Sequence, residues 1–446
     1  MRRVSASTLP RLPLSRRSAA ERVRAALDEI AGGALAEVPV RLRFWDGSLL
    51  APEDARSDLP TLAVRDRRAF AHLLYAPGEL GLARAYVDGS LVAEDDLERL
   101  LALRRPLRKI ALTPSDRARL ALGALRVAGP AALRRPPVPS IEAHGDRRHS
   151  PVSDRRAVRH HYDVSNDFYR LVLGPSLVYS CAYFSDPADS LEDAQERKLD
   201  VICRKLALQP GERFLDIGCG WGSLVLHAAE HYGVRATGIT LSRPQAALAR
   251  RRATEHGLGD RVEIRVADYR ELGDRRFDKI ASVGMYEHVG RAALARYIGT
   301  VHDLLRPGGL LLNHGISPLH NDPPDPRSFI ARYIFPDGEL QPLARVIGTM
   351  QHQALEVRDV ESLREHYTLT LRHWVDNLRA AWDRAVGLVG SERARAWELY
   401  MAGSAGAFDA GEISVFQVLA VRGGGPHPLP LDRLELLTSR SMRTYT

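Results

Sequence analysis

A chain of 446 residues with 45% hydrophobic content is long enough for two or three domains and holds the material for sizeable cores. No window approaches about 18 consecutive apolar residues, which excludes a helix that spans a bilayer. The net charge of +8 is unevenly placed, with 14 basic against four acidic residues between Arg104 and Arg159, so any polyanion-binding surface is expected there.

Residues 1–35 read as a loose basic lead into a short helix, and Met1–Ala20 lacks the apolar stretch of a secretory signal. Residues 36–103 read as a small α+β domain. Val40–Phe44 alternates as a strand should, Asp46-Gly47 is a hairpin turn, and Ala69–Tyr75 and Asp95–Leu103 carry helical spacing. Residues 104–155 form a basic linker in which Pro136, Pro137 and Pro139 oppose a continuous helix, although Ser115–Val127 is amphipathic. Such a segment suits nucleic acid or an anionic bilayer, and a merely solvated arginine-rich linker would have the same composition.

From residue 156 to about 425 strand-like runs alternate with helical stretches, the mark of an open α/β sheet. The predicted strands are Arg213–Gly218, Arg235–Thr240, Val262–Ala267, Phe277–Val283, Gly309–Asn313 and Ile413–Val421, with a helix-to-strand break at Arg306-Pro-Gly-Gly309. Leu319–Leu343 interrupts the pattern as an insert able to form a lid. Residues 426–446 form a tail. The cysteines Cys181, Cys203 and Cys219 are too widely spaced for a disulfide framework or a metal set, which points to a reducing cytoplasm and no metal.

Leu215-Asp216-Ile217-Gly218-Cys219-Gly220-Trp221-Gly222 ends the first of these strands and opens a helix, where glycines admit a ligand close to the backbone. The spacing is GxGxG behind Asp216 rather than GxGxxG. The second strand ends Gly238-Ile239-Thr240-Leu241, without the carboxylate a nicotinamide ribose would need. A cationic cofactor such as S-adenosylmethionine suits Asp216 better, and Asp268 at the end of the third strand is placed for its adenine edge.

His161-Tyr-Asp-Val-Ser-Asn-Asp-Phe168, Tyr179-Ser-Cys-Ala-Tyr-Phe184, Gly284-Met-Tyr-Glu-His-Val-Gly290, Asn313-His-Gly-Ile316 and His366-Tyr367 stand in a fixed order. Together they resemble the cyclopropane fatty acid synthase and mycolic acid cyclopropane synthase family, from about Arg159 to Val421. Gly78–Asp88 resembles the N-terminal domain of its longer bacterial members. The resemblance implies a class I methyltransferase fold, a Rossmann-like sheet with a helical lid insert, behind the N-terminal α+β domain. It implies S-adenosylmethionine at Tyr179, Ser180, Gly218, Gly220, Thr240, Leu241, Gln245, Asp268 and Tyr269. It implies bicarbonate at Cys181, Glu287, His314, the backbone of Ile316, and Tyr367. Gly315 departs from the family, where threonine is usual. Taken singly, Cys181 reads as a small buried hydrophobe, Glu287 as a helix-terminal charge, His314 as a satisfied histidine and Tyr367 as a core aromatic.

The implied chemistry is transfer of the sulfonium methyl to an alkene, then loss of a proton from the new methyl to close a three-membered ring. Such a site must align methyl and double bond, exclude water and supply a base. Rings of Tyr162, Tyr183, Phe184, Tyr286 or Tyr333 are candidates to stabilise the intervening cation. The expected substrate is the unsaturated acyl chain of a phospholipid, and the product a cyclopropane. A methylene- or methyl-branched chain is the alternative from the same cation. A nucleic-acid methyltransferase would want a motif such as Asn/Asp-Pro-Pro-Tyr after the fourth strand, where this chain has Gly284-Met-Tyr-Glu-His288. No nucleic-acid partner is expected. Peripheral attachment to the inner face of the membrane and a homodimer are.

Overall fold

The computed structural model describes residues 17–28, 30, 38–52, 58–104, 107, 113–143, 165–320, 325, 328–336 and 338–432. The chain divides into two compact units, Met1–Pro137 and Val138–Thr446.

In the first unit β1 (Arg41–Phe44) turns through Gly47 into the antiparallel β2 (Leu49–Leu50). It also pairs in parallel with β3 (Thr61–Val64), which pairs with β4 (Leu91–Ala93). The Gly78–Asp88 motif is the helix Glu79–Val87. A Cβ on Gly81 would fall 2.2 Å from the carbonyl oxygen of Ala76, so only glycine lets this helix meet the end of Arg68–Tyr75. Buried His72 is tied across the helices to Asp88, Nε2 to Oδ2, at 2.9 Å. The stretch expected as a linker is described over residues 113–143. There Pro114–Ala128 is a helix with a Thr113/Asp116 capping box, and it packs within the first unit, its Gly123 against Ala26.

The second unit is built on a seven-stranded sheet ordered β10-β11-β9-β8-β5-β6-β7. The strands are β5 (Arg213–Ile217), β6 (Arg235–Thr240), β7 (Val262–Val266), β8 (Phe277–Val283), β9 (Leu305–Pro318), β10 (Leu355–Ser362) and β11 (Ile413–Arg422). All neighbours are parallel except β11, which runs antiparallel to both β9 and β10. Helices cover both faces, and the buried strands read as nearly continuous apolar runs for that reason. This α/β architecture is the class I methyltransferase fold.

Two strands depart from the sequence expectation. β9 starts directly after the helix Leu294–Leu304, passes through Arg306–Gly309 with a register shift against β8, and continues to Pro318. β11 supplies the added pairing, Ile413 opposite Pro318, and this carries His314 and Ile316 into the strand. β10 was not foreseen. Its sequence LEVRDVES is an edge strand paired only with β11, so it lacks the apolar run that marks the interior strands.

Candidate functional site

Strand order reverses between β5 and β8, and a cavity of about 200 Å³ opens there at the carboxyl ends of the parallel strands. β5 ends at its rim with Asp216 and Ile217, followed by Gly218 and Gly220. These glycines hold φ of +84° and +53°, the left-handed region that side chains disfavour. The Asp216 carboxyl is buried, and its Oδ1 has no partner among the described residues. Burial lifts its pKa to about 7 against the opposing pull of the Lys198 ammonium.

The other predicted cofactor residues line the same cavity. At the end of β6 the Thr240 hydroxyl donates to Gln245 Oε1 at 2.8 Å, which leaves the amide nitrogen as the group Gln245 has to offer. Ser242 caps the helix that carries Gln245 and sits beside Leu241. Beyond β7, Asp268 caps a short turn containing Tyr269 and accepts from the Arg270 guanidinium through both oxygens, at 2.8 and 2.6 Å. Tyr179 brings its hydroxyl within 3.3 Å of that of Tyr400, and Ser180 Oγ accepts from Lys198 Nζ at 2.9 Å.

The residues assigned to the anion fall in two groups. Glu287 lies in the turn Tyr286–His288, between Met285 and His288 of the cavity wall. Its Oε1 accepts from the Ile316 amide at 2.8 Å, while Oε2 is buried without a partner among the described residues. Burial raises its pKa to about 7, opposed by that amide. His314, two residues before Ile316 on β9, shares its face of the sheet. Its Nδ1 lies 3.3 Å from Gln417 Nε2, and its Nε2 is buried and unpartnered among the described residues. Burial first, then Lys198 and Lys205, press its pKa down to about 3, so the ring is neutral.

The second group meets at Leu363. Cys181 Sγ lies 3.2 Å from the Ala182 carbonyl and 3.7 Å from that of Leu363, and Tyr367 N–H donates to the same Leu363 oxygen at 3.0 Å. Burial pushes the Cys181 thiol far above its ordinary pKa, so it remains a thiol and is no nucleophile. Tyr367 packs its ring on Phe408 at 4.7 Å. Lys198 links the groups electrostatically, since its charge bears on Asp216, Cys181 and His314 alike. Burial lowers its own pKa to about 8.

The aromatic residues named as candidates make contacts of their own. Tyr162 lies outside the described residues. Tyr183 stacks on His366 at 4.7 Å, Tyr333 gives its hydroxyl to Glu142, and Tyr286 donates to the Ile316 carbonyl. Neither these nor Phe184 lines the cofactor cavity. The rings that do are Tyr179, Trp221, Tyr269 and His288, and of these Tyr179 is set 5.4 Å from Trp374 and 5.8 Å from Trp397. Trp374 and Trp397 sit on the helices Arg364–Ala380 and Ser391–Asp409, where helical spacing alone marks them as core.

In the insert after β9, Ile330–Ile334 forms a π-helical turn. Phe335 then packs edge-on to Tyr400 and His288, at 5.6 and 5.7 Å, and Glu339 N–H donates to the Glu287 carbonyl at 2.9 Å. The insert thus lies against the turn that carries Glu287. Sequence reasoning missed Lys198, Lys205 and Gln417. One signal was there to find the lysines. In a chain with 59 arginines, three of the four lysines, Lys198, Lys205 and Lys279, are at most 2% exposed.

Known proteins resemble this chain in sequence and fold. The family model for mycolic acid cyclopropane synthetase matches residues 149–418. A probable fatty acid methyltransferase of Pseudomonas putida is 40% identical over 408 residues, covering 90% of this chain and 96% of its own length. The cyclopropane-fatty-acyl-phospholipid synthase of Escherichia coli K12 is 41% identical over 266 residues, 59% of this chain and 67% of its own. Among solved structures, mycolic acid cyclopropane synthase CmaA1 complexed with SAH and CTAB matches at a TM-score of 0.57 and 33% identity, covering 60% of this chain and 98% of that one. With the glycine turn and the buried Asp216 on one cavity and a family model over most of the second unit, the chain belongs to the mycolic acid cyclopropane synthetase family and is an S-adenosylmethionine-dependent methyltransferase.

Proposed function

We propose that the enzyme transfers a methylene unit from S-adenosylmethionine to the cis double bond of unsaturated phospholipid acyl chains and so forms cyclopropane fatty acids. The observation that carries this reading is a pair of buried atoms beside the cofactor cavity, His314 Nε2 and Glu287 Oε2, that lack partners among the described residues. Buried polar atoms are nearly always paired, so such a pair supports an anion-binding role.

The donor set fits bicarbonate. Cys181 and Tyr367 carry S–H and O–H groups, and His314 is neutral. Glu287 has a pKa near 7, so it can hold the proton needed beside an anion. The Ile316 amide is engaged by Glu287 and would act through it. Bicarbonate held there would supply the base that accepts the proton lost at ring closure. Asp216, Thr240, Gln245, Asp268 and Tyr269 would hold the cofactor, with Gly218, Gly220 and Leu241 letting it approach and Ser180 fixing Lys198. Tyr179 and its tryptophan neighbours would exclude water from the cation and present ring faces to it.

The balance of the reaction is simple. One alkene carbon takes the methyl from sulfur, the other becomes cationic, and a proton leaves the new methyl as the third ring bond forms. A second reading deserves a test, because relatives that match nearly the whole chain, at 40–41% identity over 408 residues, are named probable fatty acid methyltransferases. In that reading a hydride shift precedes proton loss and leaves an exocyclic methylene.

The experiment is incubation with oleoyl phospholipid and adenosylmethionine, then mild hydrogenation and mass spectrometry of the acyl esters. A ring survives mild hydrogenation. A product that takes up two hydrogens to give a methyl branch would establish the second reading. The lipid substrate and the basic stretch at 104–159 also support peripheral attachment to the inner face of the membrane.

A further inference from the structure

Strand register places three polar side chains in one row across the sheet. His314 on β9 is opposite Gln417 on β11, and Gln417 is opposite Glu361 on β10. The row is contacted by Lys205, the last residue of the helix Leu191–Lys205, whose side chain is 1% exposed. Lys205 Nζ pairs with Glu361 Oε2 and donates to Gln417 Oε1 at 2.7 Å. Tyr183 donates to the other Glu361 oxygen at 3.1 Å. At the far end Gln417 Nε2 lies 3.3 Å from His314 Nδ1.

These contacts have a fixed direction. An ammonium has three donors and no acceptor, so the Gln417 atom facing it must be the carbonyl oxygen. The two ends of an amide are told apart by their partners, and Lys205 decides the matter here. The amide nitrogen is left to face His314 and can only donate, so His314 Nδ1 accepts. A neutral imidazole whose Nδ1 accepts carries its proton on Nε2. Burial and the two nearby lysines keep the ring neutral, and Nε2 is the atom that lacks a partner among the described residues.

We propose that Lys205 and Gln417 are positioning residues that hold His314 as its Nε2–H tautomer, so that a hydrogen-bond donor rather than a lone pair faces the anion site. The proposal rests on the reading of His314 as an anion ligand. Its chemical content is that an Nε2–H donates to the charged oxygens of a bicarbonate, whereas the other tautomer would set a lone pair there that only the single bicarbonate O–H could satisfy. Arginine at 205 would not serve. Its planar fork is larger than an ammonium and would meet the Glu361–Gln417 row in a different geometry, which accounts for a lysine kept in an arginine-rich chain.

The test reads the tautomer directly. Protein labelled with ¹⁵N-imidazole histidine is compared with its His314→Gln variant, which identifies the His314 signals among those of the 16 histidines. At neutral pH the expected wild-type spectrum has a protonated, pyrrole-type Nε2 and a bare, pyridine-type Nδ1. In Gln417→Glu a carboxylate accepts from Nδ1–H, so the pattern should invert. Turnover should then fall about 10- to 100-fold, the range for outer partners of metal-bound histidines carried over to an anion-bound one. Adenosylmethionine affinity should stay within about twofold. Lys205→Met frees the amide to rotate and should give both tautomers. A wild-type spectrum with the proton on Nδ1 overturns the proposal, and it is read without any substitution in the row. An inverted tautomer in Gln417→Glu with full turnover would instead overturn the reading of His314 as an anion ligand.

Discussion

The ring of Tyr286 fills the space that a side chain at position 315 would need. A Cβ on Gly315 would fall 2.0 Å from Tyr286 Cε1. The hydroxyl of the same ring donates to the Ile316 carbonyl at 2.8 Å and lies 2.9 Å from Ser317 Oγ. Tyr286 directly precedes Glu287, and Gly315 directly follows His314. The contact therefore fixes the Glu287 turn against the strand that carries His314, and it leaves room only for glycine at position 315.

Gly315→Thr is accordingly expected to destabilise the protein by about 1–3 kcal/mol, the range for overpacking a filled site. Activity should fall with it, because the displaced ring adjoins Glu287. In the double variant Gly315→Thr/Tyr286→Ala the two costs should be less than additive. Denaturant unfolding of the wild type, both single variants and the double variant measures this. Strict additivity would mean that the ring moves aside without cost.

Glu287→Gln should lower turnover by about 10²–10⁴-fold, the range for a group that manages a proton. Its effect on adenosylmethionine binding should be small, because Glu287 lies outside the glycine turn and bonds to Ile316. Calorimetric titration alongside the product assay separates the two. Loss of both functions would indicate a structural role for the carboxyl.

Adenosylmethionine binding should release a proton. Burial holds the Asp216 carboxyl at a pKa of about 7 in the unliganded protein, and a cationic ligand beside it favours the carboxylate. Titrations near pH 6 in buffers of different ionisation enthalpy should therefore differ in apparent heat, and Asp216→Asn should abolish the difference. Stability carries the same sign. Asp216 and Glu287 both have folded-state pKa values raised above the ordinary carboxylate range. Their contribution is full below about pH 4 and is lost as pH rises through about 7, on the order of a few kcal/mol per group. Thermal unfolding of the two neutralised variants should show a flatter profile over that window.

Binding to vesicles should depend on lipid charge and on salt. Arg117, Arg119 and Arg126 are exposed on the helix Pro114–Ala128. Each basic residue near an anionic surface contributes about 1 kcal/mol. The triple Glu variant should sediment with anionic vesicles far less than the wild type does at low salt. Equal binding to neutral vesicles, or no effect of salt, would remove the electrostatic mechanism. Residues 144–159, which complete the basic stretch, lie outside the described residues.

The sequence by itself determined the parts of this protein that are local. The GxGxG turn behind Asp216 needs only a strand end, left-handed glycines and a helix start, all of which are contiguous. The alternating strands and helices after residue 156 announced an α/β sheet for the same reason. Only the tertiary structure decided what depends on pairing between distant segments. β10 is a strand because β11 pairs with it, not because of its own composition. The extension of β9 that carries His314 and Ile316 exists because β11 lies beside it. Gln417 and Lys205 look like an unremarkable strand residue and a helix-terminal charge until the register of β9, β10 and β11 brings them into one row with His314. A proton on one nitrogen of that ring is fixed by donors and acceptors more than 100 positions away, and no local pattern can encode such a constraint.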